Sequence, residues 1–282
     1  MAKLTASQDV SEFLASANKT EAASVLEAIK TENLLNQTLI IQENDTIKGY
    51  IGNIGSSAFA YDSTLKGLSI GSSVTSIGSN AFYECSGLVS SLIIPNSVET
   101  IGNSAFKGCL GLTGSLTIGN SVTSIGSDAF YGCDSFMGSL IIPNSVITIG
   151  DSAFRFCSDL TGSLTIGNSV ATIGDSVFRN TAFTGNLTFP NSVTAIGAAA
   201  FQNLTTFTGT LSIGSSITSI GNGAFQSCTG FTRIEINRAV APTIGANTFV
   251  NMTSVSPAVI HVPVGATGYA ASYNGLTIVK DL

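Results

Sequence analysis

Charge is what this 282-residue chain has least of: 10% Asp, Glu, Lys and Arg, against roughly a quarter in ordinary soluble domains. The balance is acidic, net −6 with a pI near 4.6, and no basic stripe is present to displace counterions from a phosphate backbone. Nucleic acid is therefore excluded as an expected partner. Long hydrophobic runs are missing as well. Although 44% of residues are hydrophobic, none of the runs reaches the roughly 18 residues of a spanning helix, so no membrane insertion is expected. There is one histidine, His261, a thin basis for general acid–base chemistry; it is expected on the surface of the last strand. No Gly-x4-Gly-Lys-Ser/Thr loop occurs to cradle phosphates. The opening MAKLTASQDV has no apolar core region or cleavage signature, so no export signal is expected. The six Asn-x-Ser/Thr sequons then read as chance.

What the chain does have is a repeat. Phe recurs at 59, 82, 106, 130, 154, 178, 201, 225 and 249, at gaps of 23 or 24 residues, each preceded by Ile-Gly. That period lies in the range of leucine-rich repeats and below the helical-pair repeats. Within a unit, Leu116-Thr117-Ile118 alternates apolar and polar residues, the mark of a short strand with one buried face. Pro-Asn or Gly-Asn follows each strand and suits a chain reversal. A Val-x-x-Ile pair such as Val122 and Ile125 comes next, and a segment with Ala129, Phe130 and Cys133 inward is expected as one helical turn.

One unit has about five apolar side chains and closes no core alone. Stacked at about the 4.8 Å spacing of paired strands, each column of like residues becomes continuous, and each buried aliphatic or Phe contributes about 1.5–3 kcal/mol. The expected fold is a right-handed leucine-rich-repeat solenoid of about nine coils, with short parallel strands and short helical or irregular convex segments. The residue after the strand alternates Gly71, Pro95, Gly119, Pro143, Gly167, Pro190, Gly214, which reads as duplication of a double repeat, without chemical consequence.

The pattern Leu-x-Ile-Pro-x-Ser-Val-x-x-Ile-Gly-x-x-Ala-Phe-x-x-Cys resembles the BspA-like leucine-rich repeats, the type also found in treponemes, over about residues 45–260. The tail Ile260-His-Val-Pro-Val-Gly with Tyr269 and Tyr273 is similar to that family's closing segment. The resemblance implies a surface or secreted binding protein.

Three segments are expected: a helical cap or attachment segment at 1–38, the repeats at 39–258, and a C-terminal capping segment at 259–282. The first 50 residues hold 11 of the 28 charged side chains. Val10, Phe13, Leu14 and Ala17, and then Ala22, Val25, Leu26 and Ile29, keep helical spacing. Two short helices there would shield the first coil or dock the rod on a larger assembly. Leu276–Val279 is expected to add a strand over the final coil.

Cys85, Cys109, Cys133, Cys157 and Cys228 each lie three residues after a repeat Phe. A linear column cannot supply the tetrahedron a structural zinc site needs, so free buried thiols are expected, with no metal or other cofactor. Asp128, Asp134, Asp151, Asp159 and Asp175 fall in turn and convex registers, scattered rather than paired as a glycan-acting enzyme would need. What remains is the outward row of the strands: Ser69, Ile93, Thr117, Ile141, Thr165, Thr188, Ser212 and Glu235. Ser91, Ser115, Ser139, Ser163, Asn186, Thr210 and Arg233 flank it. This hydroxyl-rich strip with two Ile can hydrogen-bond a protein or glycan but holds no activated nucleophile. A plain solvated sheet and an ice-ordering array are the competing readings. The expected function is non-catalytic adhesion to a protein or glycan on another cell or particle, with a virion or phage-tail component as the alternative.

Overall fold

The computed structural model describes residues 39–43, 46–51 and 53–282, apart from 256 and 258. The expected N-terminal helices lie outside these residues.

From Ile54 onward each repeat closes one coil of a solenoid. The nine repeat phenylalanines point inward and form one buried spine. Successive ring centroids are 5.0–6.0 Å apart, and all but one pair are stacked within 15° of parallel; Phe178–Phe201 is tilted by 30°. Around the spine run buried columns of Leu, Ile, Val, Ala and Cys. Four further rings fill a Leu column: Phe136, Phe183, Phe207 and Phe231 stand where other coils have Leu88, Leu112 and Leu160, and all are buried.

From Gly67 to Ile244 each coil carries two short strands, one more than the alternation pattern reveals. The first is the expected one, as in Leu92–Ile93, Leu116–Thr117, Leu140–Ile141 and Leu164–Thr165. After it the chain turns at Pro-Asn or Gly-Asn, with Val98 N–H donating to the Pro95 carbonyl at 3.1 Å and Val122 N–H to that of Gly119 at 3.2 Å. The second strand is built on the Ile of Ile-Gly. Ser76–Ile77, Thr100–Ile101, Ser124–Ile125, Thr148–Ile149, Thr172–Ile173, Ala195–Ile196, Ser219–Ile220 and Thr243–Ile244 pair in parallel, without register shift, as one eight-stranded sheet. The glycine that follows lets coils approach closely: a Cβ on Gly150 would lie 2.5 Å from the Ser127 main-chain nitrogen.

The convex segment is not a helical turn, and no helix occurs among the described residues. Ser104, Asp128, Ser152 and Ser176 all have φ between 53° and 56°, and a left-handed residue stops an α-helix at once. Alternate N–H groups instead point along the rod: Asp128, Phe130 and Gly132 donate to the carbonyls of Asp151, Ala153 and Arg155 in the next coil at 2.8–2.9 Å. The residues between them close local turns, such as Tyr131 N–H to the Asp128 carbonyl at 3.0 Å. The result is a third ladder, made of stacked turns.

The Pro/Gly alternation has a structural consequence that its reading as mere duplication misses. The first sheet is interrupted, with coils joined in doublets. Leu92–Ile93 pairs with Leu116–Thr117, and Leu140–Ile141 pairs with Leu164–Thr165, but neither doublet is sheet-paired to the other. Each doublet opens with a Pro coil and closes with a Gly coil. Inside it, a Cβ on Gly119 would sit 2.3 Å from the Pro95 carbonyl oxygen, and one on Gly167 2.2 Å from that of Pro143; only glycine seats that closely. Between doublets, proline has no N–H to give to the coil before it. Where Asn237 replaces the proline, its N–H donates to the Ile213 carbonyl at 2.9 Å, and the sheet runs on through Arg233–Ile236.

At the C-terminal end Val259–Val262 stacks on Arg233–Ile236, and Leu276–Lys280 stacks on Val259–Val262 as the expected further strand. Ser272–Tyr273 closes the sheet antiparallel to it. Tyr269 ties this segment down by donating its hydroxyl to the Arg238 carbonyl at 2.8 Å.

Candidate functional site

The candidate face is the outward row of the first sheet. Its side chains alternate with buried ones because successive strand residues point to opposite faces. Ser69, Ile93, Thr117, Ile141, Thr165 and Thr188 are exposed, whereas Ser212 and Glu235 are half-buried. The doublets set the order along this face. Ile93 sits beside Thr117 and Ile141 beside Thr165, each pair in register, and Thr188 sits beside Ser212. Ile93 and Ile141 are each 63% exposed, and the loop residues four positions before them, Val89 and Met137, are 59% and 53% exposed. Aliphatic groups therefore recur at the doublet period. The sequence reading named the two Ile and missed Val89 and Met137, although both stand where neighbouring coils have Thr113 and Thr161.

The flanking hydroxyls are largely spent on the fold. Ser91 and Ser139 accept from the N–H of Ser115 and Ser163 at 3.3 and 3.0 Å, and Asn186 Oδ1 accepts from Thr210 N–H at 2.7 Å. The turn asparagines act likewise, Asn96 on Asn120 and Asn144 on Asn168, both at 2.8 Å. These bonds all join the two coils of one doublet. At the Thr188–Ser212 doublet the turns enclose a shallow depression of about 500 Å³, lined by Asn168, Asn191, Ser215 and Asn237.

The far end of the row differs in chemistry. Glu235 accepts from Arg233 Nε at 2.6 Å, and Arg233 Nη1 lies 2.9 Å from His261 Nε2. Asp281 holds His261 Nδ1 at 2.8 and 2.9 Å. His261 is thus not the surface residue expected: it is 8% exposed, on a strand covered by Leu276–Lys280. An arginine can only donate and a carboxylate can only accept, so Nε2 accepts from Arg233 and Nδ1–H donates to Asp281. Among the described residues the ring's hydrogen-bond partners are thus Arg233 and Asp281, while Ser212 Oγ accepts from Asn237 Nδ2 at 3.1 Å.

The five cysteines are free and buried, as expected. Each donates its thiol to a Phe carbonyl one coil back, Cys133 to Phe106 at 3.0 Å and Cys228 to Phe201 at 2.8 Å. Burial pushes the Cys85 thiol up to about 11 and Cys228 up to about 12, and raises Cys109, Cys133 and Cys157 as well. They are packing groups, kept protonated. Among the described residues no three His, Cys, Asp or Glu side chains are placed to hold a metal ion, and no helix is long and apolar enough to cross a membrane.

A second concavity lies on the eight-stranded sheet and has no counterpart in the sequence reading. A groove of about 570 Å³ runs over Gly102, Gly126, Gly150 and Gly174, between Thr100, Ser124, Thr148 and Thr172 on one side and Asn103 and Asp151 on the other. Its signal was present as the Ser or Thr that precedes the Ile of each Ile-Gly.

Comparison with known proteins agrees with this architecture. A solved leucine-rich repeat protein from Bacteroides ovatus superposes with a TM-score of 0.56 at 25% identity, over 86% of this chain and 74% of that one. The T. pallidum leucine-rich repeat protein aligns at 22% identity over 80% of this chain and 90% of that one, with a TM-score of 0.47. Among curated proteins nothing matches. The family model for the BspA type leucine rich repeat region matches in six copies, over residues 52–183, 86–208 and 161–274. This chain belongs to the BspA-type leucine-rich repeat family.

Proposed function

We propose that the chain is a non-catalytic interaction protein that adheres to a protein or glycan on another cell or particle through the first-sheet face. Repeat proteins of this kind offer an extended surface with one chemical theme per coil. One observation carries the reading: Ile93 and Ile141 stand equally exposed at the same register of two doublets. A single exposed aliphatic residue is ordinary. Aliphatic pairs repeated along one face, each beside a threonine, form the kind of patch that marks an interaction site. The Asn-lined depression at Thr188 and Ser212 extends the face with amide donors and acceptors.

The test uses the full chain against an immobilised glycan array and a panel of cell-surface and matrix proteins, with turnover of the same glycans followed in parallel. Ile93→Asp combined with Ile141→Asp should abolish capture of whatever ligand is found while leaving the melting temperature within a few degrees. Capture unchanged by that pair would remove the face from consideration. Turnover abolished by changing one acidic residue would make the protein an enzyme.

A further inference from the structure

A third column runs along the rod one residue beyond the phenylalanine spine: Tyr83, Lys107, Tyr131, Arg155 and Arg179, with Tyr61 and Phe156 one position further on. Main-chain bonds hold it in register, Gly108 N–H to the Tyr131 carbonyl at 2.8 Å, Gly132 to Arg155 at 2.9 Å and Phe156 to Arg179 at 3.0 Å. Neighbouring positions are therefore one coil apart. Three of the four Lys and Arg between residues 53 and 232 stand here, Lys66 being the fourth, in a chain of net charge −6. Tyr61 is exposed and the rest are half-buried.

The charge is balanced at one end of this ridge only. Lys107 Nζ meets Asp128 of the next coil at 2.9 Å, and that hydrogen bond raises the ammonium above its usual pKa. At the register of Asp128, Arg155 is followed by Ser176 and Arg179 by Ala199. Among the described residues neither arginine makes an ion pair, and the buried Nε of each lacks a hydrogen-bond partner. Aromatic rings stand beside the cations: Lys107 lies 4.5 Å from the Tyr131 ring centre, and Arg155 lies 4.8 Å from that of Phe156 and 5.7 Å from that of Tyr131.

Two uncompensated guanidinium groups one coil apart present planar donors to carboxylate or sulfate groups. Beside them Tyr131 and Phe156 pack edge to face, 5.5 Å between ring centres, and add apolar ring surface not covered by the cations and, at Tyr131, a polar tip. We propose that this ridge binds an acidic polysaccharide laid along the rod, its anionic groups on Arg155 and Arg179 and its sugar rings against Tyr131 and Phe156. Spine rings of successive coils are 5.2 and 5.5 Å apart here, close to the length of one sugar unit, and with rings standing beside the cations this favours a polysaccharide over an acidic peptide. The ridge shares no residue with the first-sheet face, so each assignment stands or falls without the other.

Oligogalacturonate and dextran sulfate are the probes, with neutral dextran and polyglutamate as comparators, titrated against the full chain at low and high salt. Both acidic glycans should bind at low salt, weaken with added salt, and leave neutral dextran unbound. Arg155→Gln with Arg179→Gln should weaken binding at least about tenfold. Arg155→Lys with Arg179→Lys, which keeps charge and loses the planar fork, should fall between that variant and the native chain. Tyr131→Leu should cost several-fold, while Ile93→Asp with Ile141→Asp should cost nothing. Failure of both acidic glycans to bind at low salt would overturn the proposal. So would polyglutamate binding as tightly as the glycans with Tyr131→Leu without effect, since that is plain charge attraction.

Discussion

The two sheets of this solenoid are made from the same coils, share one core, and behave oppositely. The sheet on Ile-Gly is continuous over eight strands, because each of these coils presents a two-residue strand ending in Ile and a glycine that lets the next coil close in. The sheet that carries the candidate face is cut at every second coil over the first six units, where a proline N–H is missing. Uniform sequence gives a uniform surface. Alternation gives a surface divided into doublets, each leading with an aliphatic residue or Thr188 and following with a hydroxyl. The first sheet is thus the one whose outward residues change from coil to coil, while the second repeats Ser, Thr or Ala before an Ile in every strand.

Changes that strike the shared core should break both sheets together and have the largest effects. Because burial raises the folded thiol pKa values above the unfolded value near 9, the stability they support is complete below about pH 9 and is lost as pH climbs toward 11–12. Each thiol then costs about 1.4 kcal/mol per pH unit. The melting temperature followed by circular dichroism should fall steadily above about pH 9, and one that stays level from pH 9 to pH 12 would contradict this. Phe130→Ala, which removes one ring from the middle of the spine, should cost about 3–5 kcal/mol in equilibrium denaturation.

Smaller changes should separate the sheets. Gly150→Ala drives a Cβ into the main chain of the preceding coil within the continuous sheet and should cost about 1–3 kcal/mol, or somewhat more, by the same denaturation assay. Pro143→Ala restores a donor opposite the Ile118 carbonyl, as Asn237 does for Ile213. It should move stability by no more than about 1 kcal/mol while the new amide at 143 becomes protected from exchange.

Much of this was legible beforehand. The Phe register fixed the spine and the thiol column, and the Leu116-Thr117-Ile118 alternation located the exposed row, because burial on one face of a strand writes itself into every second residue. The second sheet leaves no such mark, since a two-residue strand such as Ser124–Ile125 is too short to show alternation. The helical turn was expected from inward Ala129, Phe130 and Cys133, a spacing that stacked turns satisfy equally once Asp128 goes left-handed. His261 reads as a surface residue because its partners Arg233 and Asp281 lie 28 and 20 residues away. Only the stacking of the last strands brings them together.

The doublet organisation of the candidate face is the claim most directly open to measurement, by residue-resolved hydrogen exchange. Ile94 and Ile142 donate to the Thr117 and Thr165 carbonyls at 2.9 Å, whereas the N–H groups of Ile118 and Ile166 face a doublet boundary. Slow exchange at Ile94 and Ile142 with fast exchange at Ile118 and Ile166 is the expected result. Equal protection at all four would mean that the first sheet is continuous, and would contradict the division of its face.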